Sequence, residues 1–278
     1  MLNTLLKLAK ELARKINTDK IVLITKSDFD FEDDEFSIFV APKRFVTMLE
    51  SMFYTIAEEE LSGKDIFERS LAFLQVSEIT PLQMYLKGIE LKGGVVGVLD
   101  LDILKGLMVI DLERSRLQKA LNECAERINP NVLKAVLTVA INIAQKGREG
   151  KKVGTGFVIG DVEEVLKRSR QLVINPYECH GVEEKDIKNP ANWESVMEFA
   201  QLDGVFVLDE DGIIVSAGRY LEVSVKDLKI AKGFGARHLA CAAITRETEA
   251  IAVVVSESGD IRVYKDGEEI LVIDSTVI

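Results

Sequence analysis

Three short segments in the second half of the chain carry side chains suited to chemistry on a phosphorylated ligand: LDGVFVLDEDG (202–212), GFGARHLACAA (233–243) and VVVSESGDIRVYKDG (253–267). In the second, Gly233 and Gly235 permit close backbone approach, and Arg237 and His238 fall in the first turn of a short helix. Free N–H groups at a helix start favour anions, and a guanidinium adds a charge-assisted donor for phosphate. Cationic side chains there oppose the helix dipole, so they ask for an anionic partner. The same letters also fit an Arg237 paired with a nearby carboxylate and a His238 packed as a polar residue. In the first segment, Asp203 stands ahead of a buried-looking strand, and Gly204 leaves room for a sugar or phosphate beside it. Asp203 can ligate a divalent cation or accept a proton from a hydroxyl; Asp-Gly is also an ordinary helix-to-strand turn. In the third, Ser256 and Glu257 end an apolar strand, where a hydroxyl can meet phosphate and a carboxylate can meet metal or ribose. A plain turn is the other reading of those two residues.

Composition narrows the ligand. With 35 Lys+Arg against 46 Asp+Glu, the net charge is −11. Such a chain repels nucleic-acid phosphate overall, so a phosphate ligand needs a local cationic or backbone site, with a metal. The three cysteines, Cys124, Cys179 and Cys241, are scattered and form no CxxC pair. A disulfide framework or thiolate zinc site is therefore not expected, and a reducing compartment fits. The first 15 residues read as an amphipathic helix rather than a signal-peptide core, because Lys7 and Lys10 interrupt the apolar pattern. The longest apolar runs are strand-length, so the reading is a soluble, cytoplasmic protein without a membrane span.

The elements that must position these residues follow from periodicity. Residues 2–17 form a helical stripe, 20–25 and 36–40 strands, and 43–60 a helix. The acidic loop 27–34 is a solvated turn; it lacks the Gly and distal Glu of a calcium loop. Helical patterning returns at 65–76 and 81–85, then strands at 93–101 and 107–110. Asn129 can cap a helix with Pro130 in its first turn, which Gly147 can end. The run 146–152 is a basic turn. Beyond it lie strands at 153–159 and 171–174 around a helix at 162–169 capped by Asp161, then a loop at 175–192 and a helix at 193–200. A hairpin follows, 205–208 and 213–217 around the turn at Asp209–Gly212; then a helix at 235–244 and strands at 250–256, 261–264 and 269–273. His180, in NPYECHG, is read as a packed loop residue. The expected organisation is two domains, 1–125 and 126–278.

The order Asp-Gly-aliphatic before a strand, Arg-His in a Gly-rich loop opening a helix, and Ser-Glu-x-Gly after a strand resembles the diadenylate cyclase domain, the nucleotide-binding domain of a DNA-integrity-scanning protein. The whole chain resembles the archaeal two-domain form. The likeness covers roughly 130–278. The front half is similar to the C-terminal domain of pyruvate kinase in its strand–helix pattern only. The fold class implied is α/β: a small N-terminal α/β domain, pyruvate kinase C-terminal-like, and a C-terminal mixed α/β domain with a central, mostly antiparallel sheet.

The resemblance implies condensation of two ATP into cyclic di-AMP with release of two pyrophosphates, using Mn²⁺ or Mg²⁺, in a homo-oligomer whose sites face each other across a two-fold axis. Asp203 would bind the metal and help activate the ribose 3′-hydroxyl, and Gly204 would lie against the nucleotide. Gly235, Ala236, Arg237, His238 and Leu239 match the loop that holds the triphosphate. Tyr220 and Leu221 match the stretch lining the adenine pocket, and Ser256 and Glu257 the turn touching phosphate or metal. The catalytic set would be Asp203, Gly204, Arg237 and His238. This sequence departs from the family pattern at Val205 for Ala, Ala236 for Thr, Leu239 for a second Arg and Ser258 for a second Glu. Loss of one charged donor costs about 1.5–3 kcal/mol of ligand or transition-state stabilisation; Arg219, Lys232 and Arg246 are cations available to compensate. The alternative is a non-catalytic adenine-nucleotide sensor on the same fold, favoured by the lost Thr and Arg and opposed by the retained Asp203 and Arg237-His238. A third reading is a scaffold whose front domain does the main work.

Overall fold

A computed structural model describes all of the chain except residues 29–32, 59–75, 103, 148–150, 227, 229–234 and 276–278. The expected acidic loop, the helix at 65–76, the basic turn, Lys232 and Gly233 therefore lie wholly or partly outside the described residues. The chain divides into two compact units, Met1–Lys119 and one from Ala120 onward. Among the described residues no helix is long and apolar enough to cross a membrane.

In the first unit, α1 (Leu2–Lys15) precedes β1 (Lys20–Thr25), β2 (Ser37–Val40), α2 (Lys43–Glu58), a helix α3 described over 76–86, β3 (Gly94–Asp100) and β4 (Lys105–Asp111). The sheet order is β2-β1-β3-β4, with β1 parallel to β2 and β3 and β4 antiparallel at the edge. The three- and four-residue spacing of α1 puts Leu6, Ala9 and Ala13 on one buried face, against Ile21, Leu23, Val96 and Val98.

The second unit opens on α4 (Arg116–Ala125), which spans the division, and α5 (Pro130–Lys146). The Asn129 side chain accepts from the Asn131 N–H at 2.9 Å, Pro130 occupies the first turn, and Gly147 ends the helix at φ +56°. Then come β5 (Thr155–Ile159), α6 (Val162–Lys167), β6 (Ser169–Gln171), α7 (Val182–Lys185), α8 (Trp193–Phe199), β7 (Val205–Leu208), β8 (Ile214–Leu221), α9 (Ala236–Glu247), β9 (Ile251–Val255), β10 (Asp260–Lys265) and β11 (Glu268–Asp274).

These strands form one sheet in the order β11-β10-β9-β5-β7-β8-β6. Only β5 and β7 pair in parallel; every other neighbouring pair is antiparallel, as expected for a mostly antiparallel sheet. β5, β7 and β9 are buried along their whole length, so both faces of the sheet centre are covered. Val158, Val205, Val207, Ala252 and Val254 share a core with Cys241, Ala242 and Ile244 of α9. α5 also packs on β9 and β10, and takes the opposite face.

Two local expectations are corrected. Asp161 makes no side-chain bond to α6; it sits at φ +45° and its carboxylate accepts from the Glu249 N–H at 2.9 Å instead. The strand expected at 171–174 lies at Ser169–Gln171. Beyond it the Asn175 side chain donates to the Val215 carbonyl and accepts from the Ala217 N–H, which replaces the ladder.

Candidate active site

The first cavity of the second unit, about 430 Å³, opens where β7, β8, β9 and the start of α9 converge. Asp203 and Gly204 immediately precede β7, and Gly204 adopts φ +104°. A Cβ at Gly204 would stand 2.5 Å from the Arg219 carbonyl oxygen and 2.8 Å from the Arg219 nitrogen. The missing side chain therefore admits the β8 backbone, whereas the sequence reading gave that room to a ligand. The close approach accompanies a register shift between Val205 and Val207. Asp203 projects from this bend; its Oδ1 accepts from the Gly204 N–H at 2.9 Å, and its side chain is 84% exposed.

On the other side, Gly235 precedes α9 with no side-chain cap, and no described atom lies within 4 Å of where its Cβ would be. The first N–H groups of a helix have no intrahelical partner. Arg237, in the first turn, donates from Nε to the Gly204 carbonyl at 3.3 Å and holds Nη2 3.6 Å from Asp203 Oδ1. The two readings of Arg237 thus coexist: it lines the cavity and pairs with a carboxylate that lines the same cavity. His238 is buried, with Nδ1 3.0 Å from the Tyr264 hydroxyl oxygen. Burial, with the positive charges of Arg262 and Arg237, lowers its pKa to about 4, so the ring is neutral at pH 7 and adds no charge. Cys241, one turn further on, is fully buried and its thiol is pushed up to about 12 by burial, which excludes it as a nucleophile.

Ser256 and Glu257 reach the cavity from the β9–β10 turn, which is closed by Ser256 N–H to the Asp260 carbonyl at 2.8 Å and Gly259 N–H to the Ser256 carbonyl at 3.0 Å. Tyr220 and Leu221 complete the wall from β8. Tyr220 is half-exposed, with the Arg170 guanidinium 5.2 Å from its ring centroid. The structure thus gathers Asp203, Gly204, Tyr220, Leu221, Gly235, Ala236, Arg237, His238, Ser256 and Glu257 around one space. Leu239 is not among the residues lining it. Of the compensating cations, Arg246 donates to the Ser224 and Lys226 carbonyls, and Arg219 is bonded to Ser169, Leu166 and Gln171. His180, read from the sequence as a packed loop residue, is instead exposed beside Glu184, outside this cavity.

Gly154, which the sequence reading passed over, also lines the cavity. A Cβ there would be 3.1 Å from Arg237 Nη1 and 3.2 Å from Glu257 Cγ. Its only sequence signal is a glycine directly ahead of an apolar strand. Among the described residues no group of three or more His, Cys, Asp and Glu could hold a metal. The carboxylates on the wall that could meet a cation are the exposed Asp203 and Glu257.

Residues 142–269 match the family described as "DisA bacterial checkpoint controller nucleotide-binding". The residues lining the first cavity all fall within that matched stretch. Residues 4–113 match "Probable sensor domain DacZ_A". A diadenylate cyclase of Haloferax volcanii is 46% identical over 149 residues, which is 53% of this chain and 54% of that protein. A diadenylate cyclase of Methanocaldococcus jannaschii is 39% identical over 168 residues, 58% of this chain and 52% of that protein. The chain spans about half the length of the curated relatives it matches. A crystal structure of a DacA double mutant from Staphylococcus aureus is 22% identical, with a TM-score of 0.37 over 50% of this chain and 83% of that chain, too slight to carry an argument.

Proposed function

We propose that the protein is a diadenylate cyclase, a nucleotidyltransferase that joins two ATP molecules into cyclic di-AMP. Each ribose 3′-hydroxyl gives up its proton, with Asp203 placed to accept it, as its oxygen bonds to the α-phosphorus of the other ATP; the bond from that phosphorus to the bridging oxygen breaks, and pyrophosphate leaves. The observation that carries this reading is the meeting of Asp203, Arg237 and the Ser256–Glu257 turn on one cavity of a domain matched to nucleotide-binding relatives.

Asp203 orients the 3′-hydroxyl and holds a divalent cation with the help of phosphate oxygens. The cation, Mn²⁺ or Mg²⁺, supplies neutralisation of charge on the phosphates when bound. Arg237 and the helix start receive the triphosphate. His238, being neutral, serves as a polar wall and adds no charge. Ala236 presents its backbone to the phosphates, Gly204 and Gly235 let the nucleotide close in, and Ser256 and Glu257 border phosphate and metal. Tyr220 and Leu221 border the adenine. Leu239 is not among the residues lining the cavity, although the resemblance places it in the loop that holds the triphosphate.

One cavity takes one ATP, so turnover needs two copies with cavities face to face. Residues 126–278 form the catalytic half. Residues 1–125 form a regulatory half of sensor type, and their likeness to the pyruvate kinase C-terminal domain rests on strand–helix order alone. The setting proposed is the cytoplasm. The deciding experiment is incubation of the purified protein with ATP and Mn²⁺, followed by mass detection of a cyclic dinucleotide. Dilution to monomer abolishes product while sparing ATP binding; product from a strict monomer overturns the two-fold mechanism. Bound ATP without product at any concentration establishes the sensor reading instead.

A further inference from the structure

A second cavity, about 560 Å³, lies behind β8 and is not used by the reaction proposed above. Its wall includes Gln171, Asn175, Tyr177, Glu178, Lys185 and Arg219, most of them from the NPYECHG segment and the strands beside it. Arg219 pairs with Gln171 across β8 and β6. Arg219 lines both cavities: its backbone borders Gly204 of the first, and its guanidinium is bonded to residues beside the second. Its guanidinium donates to Ser169 Oγ and the Ser169 carbonyl at 2.9 Å, to the Leu166 carbonyl at 3.3 Å and to Gln171 Oε1 at 3.4 Å. Leu166 and Gln171 line the second cavity, and none of the three partner residues lines the first.

All four acceptors are neutral. Every other described arginine of the second unit has a carboxylate within 4.0 Å: Arg127, Arg168, Arg170, Arg237, Arg246 and Arg262. Arg219 alone among them has none. A guanidinium has five N–H donors, so four contacts leave one uncommitted. Lys185 on the same wall also lacks a carboxylate partner among the described residues, while Glu178 is the wall's one carboxylate. The wall is thus net positive in a chain of net charge −11. The Tyr177 hydroxyl adds an independent sign: the residue is 4% exposed, lines this cavity and has no hydrogen-bond partner for its oxygen. Both cations are part-buried and without a carboxylate partner among the described residues, so an anion can pair with them. The volume lies in the range of small-molecule sites, roughly 300–1,000 Å³.

We propose that this cavity is a binding site for a small organic oxyanion, a carboxylate or phosphate ester, held by Arg219 and Lys185. Gln171 and Asn175 build the wall rather than bind, because their side-chain amides donate to the carbonyls of Ala217 and Val215 on β8.

Isothermal titration calorimetry of the full chain with citrate and with glycerol 3-phosphate tests the site. The result expected is binding of at least one of them at one per chain, weakened tenfold or more by Arg219→Gln and by Lys185→Gln, and unchanged by Arg237→Gln in the first cavity. Citrate alone assigns the carboxylate class, and glycerol 3-phosphate alone the phosphate ester class. Thermal unfolding of each variant accompanies the titrations; should Arg219→Gln fail to fold, Lys185→Gln decides. Absence of binding by both probes at millimolar concentration overturns the proposal, as does binding that survives Lys185→Gln or is lost with Arg237→Gln.

Discussion

The Arg237 guanidinium stands 3.6 Å from the Asp203 carboxylate and donates to the carbonyl of the adjacent Gly204, so a cation on α9 is tied to the two residues that open β7. At this length, and with Asp203 84% exposed, the pair adds little stability. It is readily re-partnered: a phosphate can take the guanidinium and a cation the carboxylate. The exchange is the physical core of the functional reading, and each of its two members can be tested alone.

Asp203→Asn keeps shape and removes charge. Cyclic dinucleotide formation should fall at least roughly 100-fold, equivalent to about 3 kcal/mol in the transition state. The melting temperature should stay within about 1 °C, because the side chain is exposed and weakly paired. Product mass after incubation with ATP and Mn²⁺, together with a melting curve, checks both halves.

Arg237→Lys keeps charge and loses the planar fork. ATP should bind about tenfold more weakly, consistent with about 1.5 kcal/mol for a charged hydrogen bond. Direct titration with ATP reads this without relying on turnover, and a change below twofold counts against phosphate contact by Arg237.

Two glycines of the site should respond oppositely to alanine. Gly204→Ala places a Cβ 2.5 Å from backbone at φ +104°, and should destabilise by at least about 2 kcal/mol. Gly235→Ala meets no described atom within 4 Å, at φ −68°, and should cost under about 1 kcal/mol, the range of a helix N-cap change. Urea denaturation of both variants provides the comparison.

Stability should fall on acidification because of His238. Its folded pKa is about 4 against an ordinary value of 6.5, so the unfolded chain binds the extra proton between those values. Stability is full above pH 6.5 and declines as pH drops toward 4, by up to about 3 kcal/mol. Melting temperatures across that range should show the slope, and His238→Gln should flatten it.

Much of this was legible in the letters. The cap and stop of α5, the turn at Asp209–Gly212 and the α9 helix follow from residues whose preferences are local. Asp209 Oδ1, for instance, accepts from the Asp211 and Ile213 N–H groups at 3.1 and 2.7 Å. Asp203, Arg237 and Ser256 could be singled out because each sits beside a glycine or at an element end. What stayed hidden depends on partners distant in sequence. β8 runs on to Leu221 although Gly218, at φ +69°, looks like a stop, because β6 pairs with its last residues. Gly204 reads as ligand-facing and Gly154 carries no reading beyond its strand, and only tertiary contact shows whose atoms fill their space. The burial that neutralises His238 comes from Tyr264 and the sheet beneath α9, which no periodicity around residue 238 reveals.

Arg219 is a party wall between two rooms. Its backbone abuts Gly204 on one side and its guanidinium lines the second cavity on the other. With the Arg219 backbone this close to Gly204, a shift of β8 at this point would press on the dipeptide that carries the Asp203 carboxylate. Inhibitor searches that monitor nucleotide displacement alone would then collect two kinds of hit, those seated where the nucleotide sits and those pressing from behind.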